Sequence, residues 1–153
     1  MSTYKQLEGV LRSLQLSETA DHLHELLRKA EKQSLSYTQF LLEVMSYEQR
    51  RRGEKLIERR LKWATFPDYK TLNEFSLAEQ PSLTKKQFNQ LVDLSWLDQV
   101  YNLIFLGPTG VGKTHLSVGL GIKAIHAGYK VTFISMGELI HVLKTEEITR
   151  KSQ

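Results

Sequence analysis

Eight consecutive residues, Gly107-Pro108-Thr109-Gly110-Val111-Gly112-Lys113-Thr114, fit the pattern G-x-x-x-x-G-K-[ST]. That spacing suits the binding of a polyphosphate, which needs many N–H donors and little steric bulk. Gly107, Gly110 and Gly112 carry no Cβ, so the main chain can take positive φ and approach phosphates closely. Successive N–H groups then point inward as an anion-binding nest. A helix beginning near Lys113 adds its positive N-terminal dipole end. The Lys113 ammonium is placed to bridge β- and γ-phosphates as a point charge, and the Thr114 hydroxyl to ligate Mg²⁺. The alternative is a glycine-rich turn between a strand and a helix, which has no need of Lys-Thr at those two positions.

Hydrolysis would need a further carboxylate for Mg²⁺ and for the attacking water, usually at the end of another buried strand. Downstream of Thr114 the one good strand-like run, Lys130 to Ser135, ends in Ser-Met-Gly. Glu138, Glu146 and Glu147 fall in a stretch of helical spacing. The residues therefore predict binding of a nucleoside triphosphate with Mg²⁺, with no catalytic residue assigned.

A second group carries charge. Arg50, Arg51, Arg52, Lys55, Arg59, Arg60 and Lys62 are seven basic residues in a stretch that holds only two acidic ones, Glu54 and Glu58. Arg52, Lys55, Arg59 and Lys62 follow a 3-4-3 spacing that aligns them on one helix face, off the stripe of Ile57, Leu61 and Ala64. Such a face can neutralise several phosphates and bind DNA without regard to sequence. Trp63 beside it is suited to stacking on a base. The competing reading is a solvated helix face paired internally with Glu54 and Glu58. The five histidines form no metal set; His22 and His24 point to different helix faces.

The elements that must position these residues follow from apolar periodicity. Helices are expected over 4–16, 18–33 and from Ser36 toward Ala64, with Thr3/Gln6 and Ser36/Gln39 in capping-box register and Ser17 as an N-cap. Pro67 ends the third. Residues 67–83 read as an irregular connector, and Thr84/Gln87 cap a further helix. Strand 102–106, helix 113–127 with Gly128 as C-cap, strand 131–135 and helix 137–149 follow. The expected fold class is thus α/β: a basic helical domain over 1–66, a connector over 67–83, and the first part of a parallel α/β domain over 84–153. Net charge is +4, cysteine is absent, and no apolar run reaches the length of a membrane span. The N-terminus has no signal-peptide core, so a cytoplasmic protein with no membrane partner is expected.

The run Asn102-Leu103-Ile104-Phe105-Leu106 with 107–116, then Ala124-Ile125-His126-Ala127-Gly128-Tyr129 and Val131 to Ser135, resembles the IstB-like transposition helper ATPases. These are relatives of the DnaC helicase loader in the AAA+ class. The basic cluster, Phe66-Pro67, Lys70-Thr71-Leu72 and Phe75 extend the resemblance over the whole chain. It implies that 107–114 is a Walker A loop and that the protein oligomerises with ATP on DNA and serves a transposase. It also implies that Phe66, Pro67 and Lys70 to Phe75 lie near the adenine. Family members continue further, with Walker B carboxylates, a sensor and an arginine finger, so a C-terminally truncated, catalytically incomplete member is expected. Their sheet places other strands between the two seen here, which predicts that 102–106 and 131–135 do not pair directly and leave open edges. Alternatives are a DNA- or transposase-binding helical module with an inert ATPase remnant, and a DnaC-like helicase loader fragment. A small-molecule kinase fits poorly with the long basic helical region.

Overall fold

The computed structural model describes residues 2–151, which form eight α-helices and two short 3-10 turns. They divide into two compact units, one ending at Glu58 and the other beginning at Arg59.

The first unit contains α1 (Thr3–Ser13), α2 (Ser17–Asp21), α3 (Leu23–Gln33) and most of α4 (Tyr37–Trp63). Ser2, rather than Thr3, caps α1 by accepting from the Lys5 N–H. The single helix expected over 18–33 is broken at His22, whose backbone leaves helical geometry and serves as both the end of α2 and the start of α3. Leu16 stands where Ser17 was expected as N-cap, without a side-chain hydrogen bond. Ser36 and Gln39 do form the reciprocal pair at the head of α4: the Ser36 N–H donates to Oε1 at 2.9 Å and the Gln39 N–H to the Ser36 Oγ at 3.3 Å. Leu11, Ala20 and Leu23 form the core, with Leu16 and Leu27 packed on it.

Two acids are buried in this unit, and burying a charge is costly unless it is paired. Glu48 accepts from the Thr19 N–H at 2.7 Å and from the Arg52 Nε at 2.8 Å. Burial pushes its carboxyl pKa up, but these donors outweigh that and hold it below the ordinary value. Glu18 receives Lys55, with the Arg51 Nε 3.7 Å away.

The second unit begins with the last turn of α4 and contains α5 (Lys85–Asp93), α6 (Ser95–Asp98), α7 (Lys113–His126) and α8 (Met136–Lys151). The Thr84/Gln87 capping box at α5 is complete. The connector is partly ordered by 3-10 turns at Leu72–Glu74 and Leu77–Glu79, the first closed by a Thr71/Glu74 capping box. α7 ends at His126 with Ala127, not the expected Gly128, as its C-cap; Gly128 follows at a φ of +101°. Buried Leu94, Leu116, Leu120 and Ala124 make the core, and Leu72, Phe75, Phe88 and Phe105 pack against it.

The parallel α/β arrangement expected from the pattern is not what forms. Among the described residues there is no β-strand, and both 102–106 and 131–135 lack regular secondary structure. The alternation of a strand is present locally: Leu103 and Phe105 are half-buried, while Ile104 and Leu106 are 79% and 89% exposed. A strand, however, exists only through hydrogen bonds to a neighbouring strand, and neither segment has one among the described residues. Segment 131–135 is bonded to the end of α4. The Phe133 N–H donates to the Ala64 carbonyl at 2.7 Å, and the Thr65 hydroxyl to the Phe133 carbonyl at 2.8 Å.

Candidate functional site

The glycine-rich loop enters α7 directly. Gly112 is the N-cap, with φ of +84°, and Gly110 has the same φ. A side chain at either would be strained, since the left-handed region costs an L-residue about 1–2 kcal/mol. At Gly112 a Cβ would also come within 3.1 Å of the Phe75 ring. Lys113 is the first helical residue, and its ammonium folds back to donate to the Gly107 carbonyl at 2.8 Å and the Pro108 carbonyl at 2.5 Å. The loop is thereby closed on its own cation. Thr109 and Val111 complete it, and Thr114 is exposed at the second helical position. Its hydroxyl makes no hydrogen bond among the described residues. It is thus available as one hard oxygen ligand for Mg²⁺, the others to come from phosphate and water. No cluster of His, Asp or Glu among the described residues could hold a metal by itself.

Beside the loop lies a cavity of about 280 Å³, lined by Phe75, Gln80, Ser82, Leu106, Val111 and Lys113 among others. Phe75 is held on three sides. It stacks on Phe88 with centroids 5.8 Å apart, meets the His115 ring edge-on at 5.4 Å, and abuts Gly112. His115, in turn, is 2.9 Å from the Thr71 carbonyl, which ties the connector to the first turn of α7. Phe66 lies elsewhere. It packs on Gly121 and tilts against Phe133 at 6.2 Å; Gly121 is eight residues, about 12 Å, along α7 from Lys113. Of the residues grouped with the adenine by resemblance, Phe75 is at the loop and Phe66 is not. No spacing rule marks Phe75 or His115, because their link to the loop is tertiary.

The basic residues of α4 fall into two sets. In the first unit, Arg51 donates to Glu54 at 2.5 Å, Arg52 to Glu48 and to the Gln15 carbonyl, and Lys55 to Glu18. Arg50 lies over the Tyr47 ring, 5.5 Å from its centroid, with Nε 3.8 Å from Glu54. In the second unit, Arg60 donates to the Gly128 carbonyl at 2.6 Å, and Arg59 lies over the Trp63 ring. Lys62 is exposed, and neither it nor Arg59 has a carboxylate partner among the described residues. Glu18 and Glu48 are the residues that sequence reasoning missed here. The i,i+4 relation of Glu48 to Arg52 was visible; the pairing of Lys55 with a glutamate 37 residues earlier was not.

Among the described residues no helix is long and apolar enough to cross a membrane. Residues 9–152 match the family described as IstB-like ATP binding protein. The chain is 38% identical over 138 residues to an ATP-binding protein of insertion sequence IS21 from Pseudomonas aeruginosa, covering 90% of this chain and 52% of that one. It is 34% identical over 150 residues to the corresponding protein of IS232 from Bacillus thuringiensis subsp. berliner, covering 98% and 60%. An IS21-like ATP-binding protein of Bacteroides fragilis (strain YCH46) is 34% identical over 151 residues, with 98% and 76% covered. The chain thus spans between half and three fifths of the length of the first two relatives.

Proposed function

The chain belongs to the IstB-like ATP-binding protein family, and from that premise we propose that it binds ATP with Mg²⁺ through Gly107–Thr114 as a helper of DNA transposition. The observation that carries this reading is the loop itself: two left-handed glycines and a lysine ammonium held on two of the loop's carbonyls, at the N-terminus of a 14-residue helix. Free backbone N–H groups and the helix dipole favour an anion at that end. The Lys113 ammonium, now on two carbonyls of the loop, would exchange them for phosphate oxygens, a stronger charge-assisted contact. Mg²⁺, when bound with the nucleotide, would neutralise phosphate charge, and Thr114 would hold it. The cavity against Phe75 offers room for part of the nucleoside.

DNA association through the basic part of α4, independent of sequence, and service to a transposase in the cytoplasm complete the proposal. Both are motivated by the charge of Arg50–Lys62 and by the insertion-sequence origin of the relatives. The nucleotide assignment is tested by isothermal titration of the chain with ATP and Mg²⁺. The expected result is saturable heat that is lost in Lys113→Ala. Unchanged affinity in that variant would contradict it.

A further inference from the structure

The end of α4 is built firmly into the second unit. Arg60 is anchored to the Gly128 carbonyl, Ala64 is fully buried, and the Ala64 carbonyl accepts from Phe133. The same turn also carries Trp63, 66% exposed, one of two tryptophans in the chain. The other, Trp96, is held near the core by donating its indole N–H to the Leu91 carbonyl at 3.0 Å. A large aromatic two-thirds exposed on a fixed helical turn adds little burial to the fold. Its only ring-face neighbour among the described residues is the Arg59 guanidinium, 5.5 Å from the centroid, four residues earlier on the same face. Lys62 lies beside both, exposed and without a carboxylate. Arg51, Arg52 and Lys55 are spent on Glu54, Glu48 and Glu18. The free positive charge in the second unit's part of α4 therefore coincides with the exposed ring.

We infer that Trp63, flanked by Arg59 and Lys62, is a stacking platform for an unpaired base of a nucleic-acid strand. The inference rests on the DNA-binding reading above and adds the form of the ligand. An indole face suits any base, since every base has a π-face. A guanidinium stacked on the ring and an ammonium three residues on supply the phosphate contacts that accompany stacking. Base pairs inside a duplex keep their faces covered by neighbours, so this contact discriminates for single-stranded or locally unstacked DNA. Sequence preference is not expected, because Arg59 and Lys62 serve phosphates here and stacking itself reads no base edge.

The test compares binding of a labelled oligothymidylate of about 15 nucleotides with that of a duplex of equal length. Wild type, Trp63→Ala and Trp63→Phe are measured by fluorescence anisotropy. Trp63→Ala should weaken the single strand about 5- to 140-fold, the range that base–aromatic stacking spans. Duplex affinity should stay within about twofold, as for an ordinary surface substitution. Trp63→Phe should recover most of the single-strand affinity. Intrinsic fluorescence of the wild type should be quenched by the oligonucleotide, and that quenching should vanish in Trp63→Phe, where only Trp96 emits. Equal losses for both polymers, or none for the single strand, would overturn the platform, and in the second case Trp63 would be left for a protein contact. Salt-dependent duplex binding with a silent Trp63 would sink this inference alone; failure of the wild type to bind either polymer would sink it together with the DNA reading.

Discussion

The salt dependence of duplex binding separates the charge that is available to DNA from the charge that is merely present. Each phosphate neutralised contributes about −0.9 to the slope of log affinity against log salt. If all seven basic residues from Arg50 to Lys62 met phosphates, the slope would be about −6.3. The structure removes four from that set. Arg51, Arg52 and Lys55 are paired with glutamates, two of which are themselves buried, and Arg60 donates to the Gly128 carbonyl. Releasing Arg52 or Lys55 to DNA would strand a buried carboxylate, at a cost that exceeds the gain from an exposed phosphate contact. Arg59, Lys62 and Arg50, the last only 3.8 Å from its carboxylate and so loosely held, remain. Three phosphates give a slope of about −2.7, or about a 40-fold loss of affinity between roughly 50 and 200 mM salt, against several thousand-fold for about seven. Anisotropy of a labelled duplex over that range measures it. Replacing Arg59 and Lys62 by Gln should flatten the slope to about −0.9. Replacing Arg52 and Lys55 by Gln should leave the slope alone and lower stability instead. A wild-type slope of about −5 or steeper, or one that flattens on loss of Arg52 and Lys55, would refute the partition.

Glu48→Gln removes a charged acceptor from the buried Thr19 amide and should cost about 1.5–3 kcal/mol, the usual range for a hydrogen bond to a charged group; the half-exposed Arg52 adds little. Because Glu48 has its carboxyl pKa lowered by folding, its contribution is full above the ordinary glutamate value of about 4.3 and fades as pH falls through the lower folded value. Thermal melts should show a wide gap between wild type and variant near neutrality that closes in acid; a gap independent of pH would contradict the assignment. Gly112→Ala places a Cβ at φ of +84° and 3.1 Å from Phe75. It should weaken ATP binding about 5- to 30-fold, because the free variant's loop relaxes and binding must restore the left-handed φ, as read by calorimetry, and unchanged affinity would show that the loop tolerates another backbone.

The parts of this molecule legible in sequence are those set by neighbours a few residues away. Ser36/Gln39 and Thr84/Gln87 announce helix starts because the capping box closes within four residues. Gly110, Gly112 and Lys113 announce the loop for the same reason. The break at His22 was hidden because Leu23, Leu26 and Leu27 continue the apolar stripe, and periodicity records a face rather than a kink. The strands failed differently. Leu103 and Phe105 do face inward as alternation requires, but a ladder depends on a distant segment, which no local pattern supplies. Charge behaved likewise: the 3-4-3 spacing placed Arg52 and Lys55 correctly on α4, while the partner that commits Lys55, Glu18, comes from a different helix.

The central claim, that Gly107–Thr114 is where ATP binds, is met most directly by titrating the isotope-labelled chain with ATP and Mg²⁺ and following each backbone amide by NMR. The largest shifts are expected at Gly110 to Thr114, whose N–H groups would turn onto phosphate, with smaller ones at Phe75 and His115. Saturable shifts confined to another part of the chain, with the loop amides unmoved, would contradict it.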